Sequence, residues 1–340
     1  MTLIKSNRTK SKIESSSRFS VAPMMDWTDR HCRYFHRKFT NRSLLYTEMV
    51  AAAALVQGKA YHLLDYSNEE HPLALQLGGS DPIQLAAAAS IGQSRGYDEI
   101  NLNVGCPSDR VQSGSFGAVL MKNPKLVAAC CEAMKKSTSV DLTVKCRIGV
   151  DDQDPEQILP EFLNHIYNSG VNRVIIHARK AILKGLSTKE NRDIPPLNYE
   201  IVFKMKEKFP NLHISLNGGV TRLSAANDLL AKGIDGVMIG RSAYQQPMQI
   251  LSEVDKNIFG AKMMRSPFDI AEEMRPYLKE HFDHGGKPHQ VTRHMICLFH
   301  GLPGAKIWRQ YLSNTLLHYN IDFYDEAVAA VVNSTNKSAA

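Results

Sequence analysis

The sequence predicts an α/β fold: a TIM (β/α)8 barrel followed by a small C-terminal helical bundle domain. Eight short apolar or β-branched runs alternate with helical segments between residues 19 and 239, a pattern typical of a barrel rather than of an open sheet with fewer strands. The 340 residues suffice for a barrel of about 250 residues and a smaller second domain. The predicted strands are 19–22, 44–48, 73–77, 100–104, 142–146, 173–177, 212–216 and 236–239.

Three of the intervening helices have clear start signals. Segments 81–96, 123–136 and 154–170 each begin with Asp or Asn followed by Pro. The Asp or Asn side chain accepts from free N–H groups at a helix start, and Pro fits the first turn, where its missing N–H is not needed. These segments are therefore predicted to be the helices between barrel strands.

The chain outside the barrel divides into three parts. Residues 1–17 are predicted to be a disordered basic arm, because they are rich in Ser, Lys and Arg and lack apolar periodicity. A barrel domain is predicted over 18–260, a helical domain over 261–334 and a disordered tail over 335–340. Pro276 is predicted to kink or split a helix of the second domain.

Composition indicates a soluble globular protein, which we expect in the cytoplasm. Hydrophobic residues make up 43% of the chain and charged residues 22%, and the longest apolar run, 49–56, is too short to span a membrane. The six cysteines lack the C-x-x-C spacing of zinc or iron-sulfur sites, so we expect reduced thiols and no metal centre. The net charge of +7 fits a polyanionic partner without requiring one. We expect a monomer with no stable protein partner.

Polar or glycine-rich residues stand at every predicted strand end. In a TIM barrel the reactive groups collect at this face, and a random barrel would place several inert residues there, so one large polar site is predicted. The residues at these ends are Pro23, Met24 and Met25, then Glu48, Gln76, Asn103, Cys106, Lys145, Arg147, His177, Arg179, Asn217, Gly218, Gly219, Gly240 and Arg241.

The loops after strands 7 and 8 predict a phosphate site. Barrel phosphates bind at these two loops, where glycines let backbone N–H groups approach an anion. Residues 217–219 and 240–241 occupy them, and Arg241 is available to pair the charge. A tight turn is the alternative reading of the glycine pair.

Lys145 predicts that the ligand carries a further negative charge. A Lys that points into a barrel loses hydration, which costs free energy unless the ammonium meets an anion. A reduced flavin with charge near N1 and O2 is a natural partner. Gln76 can donate and accept at once, which suits a ring edge. His177 is either a hydrogen-bonded core histidine or a flavin contact beside the phosphate loops.

Cys106 lies at the tip of the predicted strand 100–104. Gly105 permits a sharp bend there, and Pro107 cannot continue strand pairing. Asn101 and Asn103 share one face of this strand, which therefore faces something polar. From this stretch alone, Cys106 is either a small buried residue or a functional thiol.

With these residues in place, the chain resembles the tRNA-dihydrouridine synthase family, and within it the A-type subfamily. The resemblance runs from about residue 18 into the C-terminal helices. The sequence NLNVGCPS at 101–108 is its most specific segment, whereas the glycine loops are shared with many flavin barrels. The other matching segments are 21–29, 45–49, 74–80, 144–149, 176–179, 216–219, 236–241 and 303–311.

The resemblance implies an oxidoreductase that binds FMN, uses NADPH as reductant, and reduces uridine in the tRNA D-loop to 5,6-dihydrouridine at positions 20 and 20a. Cys106 would be the proton donor, and Asn103 would contact the target nucleotide. Lys189, Lys306 and Arg309 match tRNA-contacting positions. The residues that would hold FMN are Pro23, Met24, Met25, Gln76, Lys145, His177, Asn217, Gly218, Gly219, Gly240 and Arg241.

This chemistry is physically coherent. Hydride adds to C6 of uracil and a proton to C5, and a thiol is protonated at neutral pH in ordinary surroundings, as a proton donor requires. The uracil must leave the RNA stack to reach a barrel mouth. Two alternatives stay open: a flavin barrel acting on a free pyrimidine, and a tRNA-binding protein with an inactive barrel.

Overall fold

The computed structural model describes residues 13, 15–108, 114–261, 265–317 and 319–339. Eight parallel strands lie in the sheet order β1-β8-β7-β6-β5-β4-β3-β2. An isolated parallel bridge between Ser20 and Leu44 brings the two ends of this sheet together, so the sheet is a nearly closed barrel. The TIM barrel prediction is confirmed. The strands are β1 Phe19–Val21, β2 Leu45–Ala51, β3 Leu73–Gly78, β4 Glu99–Val104, β5 Asp141–Arg147, β6 Arg173–His177, β7 His213–Asn217 and β8 Gly236–Ile239.

The helices form where the start signals predict them. Asp81 caps Pro82–Ser94, accepting from the N–H groups of Ile83 and Gln84, and Asn123 and Asp154 cap the next two in the same way. The helices are α1 Arg30–Arg37, α2 Ala52–Val56, α3 Pro82–Ser94, α4 Pro124–Ser137, α5 Pro155–Asn168, α6 Tyr199–Lys208, α7 Leu223–Ala231, α8 Arg241–Gln245, α9 Pro247–Asn257, α10 Pro267–Asp283, α11 His289–Thr292, α12 Ala305–Ser313 and α13 Asp322–Ala339. Short 3₁₀ turns lie at Tyr61–Leu64, Asn68–Glu70, Gly117–Lys122, Glu190–Arg192 and Thr315–Leu317.

The chain forms two compact units whose boundary differs from the predicted one at residue 260. The barrel unit contains the described residues up to 26 together with 43–240, and the helical unit contains 27–42 and the described residues from 241 onward. Helix α1 lies between β1 and β2 in sequence, yet it belongs to the helical unit. Within that unit Tyr34 of α1 stacks on Tyr277 with ring centroids 3.8 Å apart, and Thr40 donates to Asp255.

The structure corrects three smaller predictions. The predicted arm 1–17 packs where it is described, since Ile13, Ser16 and Ser17 are buried; residues 1–12 and 14 lie outside the described residues. Helix α13 runs to Ala339 through the predicted tail 335–340. Helix α10 continues through Pro276, so the predicted split does not occur, and the alternative of a kink stays a prediction.

The barrel contains both a buried apolar cluster and buried polar side chains. Ile13, Leu44, Ala74, Ile175 and Met238 belong to the apolar cluster. Buried polar residues include Gln76 of β3, Asn101 of β4 and Thr143 of β5. Among the described residues, no helix has the length and apolar character needed to cross a lipid bilayer.

Candidate active site

Strand register brings the predicted residues of β4 to β7 side by side. Asn103 of β4 pairs with Lys145 of β5, and His177 of β6 pairs with Asn217 of β7. Arg147 at the end of β5 pairs with His177. Because these strands are parallel, all five residues lie near the same end of the barrel.

Asn103 holds the loop that carries Cys106. The Asn103 Oδ1 accepts from the backbone N–H of Gly105 at 3.1 Å and of Cys106 at 2.9 Å. Its Nδ2 donates to Gln76 Oε1 at 2.8 Å. Asn103 is only 7% exposed, and all of these hydrogen bonds are made within the protein. Its contact with a nucleotide stays a prediction.

The Cys106 thiol is half-buried at the end of β4. Its Sγ lies 3.4 Å from Ser108 Oγ, and its carbonyl accepts from Ala118 N at 2.9 Å. The barrel mouth therefore places the thiol on a loop whose backbone is hydrogen-bonded from both sides. The rest of this loop, 109–113, lies outside the described residues.

Lys145 places a cation without a counterion in the barrel mouth. Burial lowers its pKa to about 8, and the nearby Arg147 acts in the same direction. No ion pair or hydrogen bond joins its ammonium to another residue that the structure describes. An unpaired ammonium in this position favours an anionic ligand.

Arg147 ties the Cys106 loop to the loop after β6. Its guanidinium donates to the carbonyls of Gly105 at 3.1 Å, Lys180 at 3.0 Å and Asn191 at 2.8 Å. Burial lowers the pKa of Arg147 to about 10. Asn191 is fully buried and donates to the carbonyls of Ile182, Leu186 and Ser187. Two polar residues thus shape both loops.

The glycines at the ends of β7 and β8 leave room that side chains would fill. Gly218 has φ +106°, and a Cβ there would lie 3.1 Å from His177 Nε2. Gly219 has φ +71°, and a Cβ on Gly240 would lie 3.4 Å from Met24 Sδ. Glycine is the residue suited to both the backbone geometry and the close approach.

The remaining predicted residues lie at or around these loops. Asn217 donates from Nδ2 to Met238 O at 2.8 Å, which secures β7 to β8. Pro23 and Met24 follow β1 with little exposure, whereas Met25 is 52% exposed. Arg241 is the first residue of α8 in the helical unit, and its pairing with a phosphate stays a prediction.

The residues predicted to contact tRNA are exposed cations. Lys189 precedes the 3₁₀ turn Glu190–Arg192 of the barrel unit. Lys306 and Arg309 lie on α12 of the helical unit, three positions apart and therefore on one face. Their exposure is compatible with a polyanionic partner, and the contacts themselves stay predictions.

The sequence analysis did not predict which buried residues bond to the polar side chains of the barrel mouth. Asn101 and Gln76 are fully buried and bond to each other, Gln76 Nε2 donating to Asn101 Oδ1 at 2.8 Å. The alternation of polar and apolar residues in 99–104 indicated a polar face on β4 but not what it contacts. Asn191 had no signal, because it lies in a short 3₁₀ turn, Glu190–Arg192, between β6 and α6.

The chain matches known proteins over most of its length. A sequence profile of the dihydrouridine synthase family (Dus) matches residues 20–331. The tRNA-dihydrouridine(20/20a) synthase of Salmonella typhi is 54% identical over 307 residues, which are 90% of this chain and 92% of that protein. The proteins of the same name from Shewanella oneidensis and Escherichia coli K12 are 52% identical over 312 residues and 54% identical over 306 residues. These alignments cover 92% of this chain and 92% of the Shewanella protein, and 89% of this chain and 88% of the Escherichia protein. The chain belongs to the dihydrouridine synthase family.

Proposed function

We propose that this protein reduces uridine to 5,6-dihydrouridine at positions 20 and 20a of tRNA, with FMN as cofactor and NADPH as reductant. The observation that carries the proposal is the match, over about nine tenths of the chain, to relatives named tRNA-dihydrouridine(20/20a) synthase. The geometry supports it, because a thiol, an unpaired ammonium and two glycine loops lie at one end of the barrel.

The residues of the barrel mouth fit a bound flavin mononucleotide. Lys145 lacks a counterion among the described residues, which suits the negative charge of a reduced isoalloxazine ring at N1 and O2. The lack of side chains at Gly218 and Gly240 suits a phosphate approached by backbone N–H groups. We therefore assign FMN to Lys145, Gln76 and His177 at the ring and to 217–219 and 240–241 at the phosphate. Pro23, Met24 and Met25 complete this set.

FMN bound there and reduced by NADPH would supply the hydride for C6 of the uracil ring. Cys106 then donates its thiol proton to C5, so that the C5=C6 double bond becomes a single bond and the thiolate regains a proton from solvent. Lys145 and Arg147 both lie on β5, the strand paired with β4 that leads to Cys106.

The exposed cations would bind the RNA. Lys189 in the barrel unit and Lys306 and Arg309 in the helical unit are assigned to tRNA phosphates, which give salt-dependent affinity. Reduction at C5 and C6 requires that the target uridine leave its stack, which is easiest in a loosened loop. We place the reaction in the cytoplasm, with the protein as a monomer.

The Cys106→Ala variant tests the proposed chemistry. NADPH should still reduce the bound flavin at the wild-type rate, while dihydrouridine formation in tRNA should fall by about 100-fold or more, the usual contribution of a positioned acid. Cys297→Ala, which changes the other half-buried cysteine, should leave both rates unchanged.

Two outcomes would contradict the proposal. Unchanged turnover in Cys106→Ala would exclude Cys106 as the proton donor. Dihydrouridine that stays at its normal level at positions 20 and 20a of tRNA when this gene is deleted would exclude the proposed substrate.

A further inference from the structure

A row of buried hydrogen bonds begins at the floor of the barrel. Glu99 is fully buried on β4, and its carboxylate pairs with Arg173 at 2.5 Å. The same carboxylate accepts from Tyr46 Oη at 2.7 Å and from Thr143 Oγ1 at 2.5 Å. The Thr143 oxygen in turn accepts from Asn101 Nδ2 at 2.8 Å.

The row continues upward to the Cys106 loop. Asn101 Oδ1 accepts from Gln76 Nε2, and Gln76 Oε1 accepts from Asn103 Nδ2, each at 2.8 Å. Asn103 Oδ1 ends the row at the N–H groups of Gly105 and Cys106. We name Glu99, Thr143, Asn101, Gln76 and Asn103 the amide relay; each of these side chains is at most 7% exposed.

Both ends of the amide relay fix its direction. Backbone N–H groups at the top can only donate, so Asn103 must turn its oxygen towards them and its NH₂ towards Gln76. At the bottom the Glu99 carboxylate accepts from Thr143. Thr143 therefore turns its hydrogen towards Glu99 and its lone pair towards Asn101. The two requirements give the same orientation for every amide between them.

We propose that Thr143 and Asn101 are positioning residues, which hold the Cys106 loop in place by fixing the orientation of Gln76 and Asn103. Neither residue is itself a predicted flavin or nucleotide contact, although Asn101 bonds to Gln76. They therefore act through the relay and not on the substrate. The inference rests on the proposed function only in giving Cys106 its chemical task. The order of the Cys106 loop does not depend on that task.

The alternative is that Thr143 and Asn101 only fill the barrel interior. Thr143→Val separates the two roles, because Val has nearly the same shape but removes the acceptor for Asn101 and the donor to Glu99. Thr143→Ser keeps the hydroxyl and should restore wild-type behaviour. Thr138→Val is the matched control, since Thr138 is 8% exposed and bonds to Gln93, outside the relay.

The first readout is the local order of the Cys106 loop. Hydrogen exchange, followed by mass spectrometry of the peptide with Gly105 and Cys106, should be roughly three- to tenfold faster in Thr143→Val, the size expected for one weakened buried hydrogen bond. Alkylation of Cys106 by iodoacetamide, resolved from Cys297 by peptide mass, should change relative to wild type. Both rates should stay at wild-type values in Thr143→Ser and Thr138→Val.

The second readout is catalytic. In the holoenzyme, Thr143→Val should lower kcat for dihydrouridine formation and leave KM for tRNA unchanged. Asn101→Leu is a second route to the same result, because it removes the acceptor for Gln76 Nε2. Either variant alone decides the question if the other fails to fold.

Several results would overturn the proposal. Wild-type exchange and alkylation in a folded Thr143→Val or Asn101→Leu would do so, as would an equal change in Thr138→Val. Complete exchange of the Gly105 and Cys106 amides within seconds in the unmodified protein would also do so, whatever the variants show. Since exchange and alkylation do not need turnover, they test the relay even if Cys106→Ala disproves the proposed proton donor.

Discussion

The ammonium of Lys145 can be tested by removing its charge. Lys145→Met keeps the length and most of the volume of the side chain, so the substitution changes electrostatics more than packing. In the ligand-free protein this ammonium has no counterion among the described residues. We therefore expect Lys145→Met to be more stable than wild type at neutral pH when no ligand is bound.

The size of this effect follows from the pKa. Burial lowers the pKa of Lys145 from 10.5 to about 8. Since each pKa unit corresponds to about 1.4 kcal/mol, the charged form costs on the order of 3 kcal/mol in the folded state. Between the two pKa values the unfolded chain keeps a proton that the folded protein has released, so the free energy of unfolding rises with pH. The gain is absent below the folded pKa of about 8, reaches about 2 kcal/mol near pH 9.5, and is complete above the unfolded pKa.

Urea unfolding of ligand-free wild type and Lys145→Met measures this directly. Every other titrating group is common to both proteins, so the difference between their unfolding free energies isolates Lys145. We expect the variant's advantage to shrink as the pH rises from 7 to 9.5. A difference that does not change with pH would refute the assigned cause.

The same pair of proteins tests the predicted flavin contact. A bound anion beside Lys145 keeps its ammonium protonated, because an opposite charge nearby raises a lysine pKa. The pH dependence of the difference should therefore vanish with saturating FMN, and Lys145→Met should bind FMN about tenfold or more weakly, as for a lost hydrogen bond to a charged group. Equal FMN affinity would exclude Lys145 as a flavin contact without touching the conclusion about its burial.

Two further substitutions test the glycine loops and the helical unit. Gly218→Ala adds a Cβ 3.1 Å from His177 Nε2 at φ +106°, so it should cost roughly 1 kcal/mol or more of stability and weaken FMN binding. Gly233→Ala has a similar φ of +98° but open space around the Cβ, so it should cost stability alone. If Gly218→Ala and Gly233→Ala bind FMN equally well in a fluorescence titration, the glycine loops do not hold the phosphate. Arg309→Ala should weaken tRNA binding and reduce its salt slope by about one, with FMN affinity unchanged. Lys279→Ala, whose ammonium is already paired with Asp283 at 2.5 Å, should leave the slope intact, and a filter-binding titration that finds the two variants alike would count against the assigned contact.

The barrel was predictable from sequence because its signals are local. Each strand is a short apolar run, and Asp81, Asn123 and Asp154 mark helix starts within one turn. The assignment of α1 was not predictable, because its own sequence does not show which unit its aromatic face packs against. That information lies in Tyr244 and Tyr277, which contact His36 and Tyr34 of α1 from more than 200 positions away in the chain.

The positions of the site residues were predictable from the sequence, but their hydrogen-bond partners were not. Strand ends indicated Cys106, Lys145 and His177, since a parallel barrel collects its strand ends at one face. The pairing of Gln76 with Asn101 depends on the register between β3 and β4, and a shift of one residue would turn these side chains to opposite faces. Local sequence does not contain that register.

Burying polar side chains in the barrel interior costs free energy, and their hydrogen bonds offset that cost. Glu99, Asn101 and Asn103 alternate along β4 with apolar residues, of which Ile100 faces α3, since a Cβ on Gly92 of that helix would touch its side chain. A buried amide or carboxylate destabilises a fold by about 1–3 kcal/mol when it loses its partner, and contributes little net stability when it is satisfied. An apolar β4 face would therefore support the barrel about as well as the present one only if its partners Gln76, Thr143 and Arg173 were apolar as well. What that face would lose is a fixed direction of hydrogen bonding from Glu99 to the Cys106 loop, so the polar residues are best explained by the geometry of the site and not by the stability of the fold.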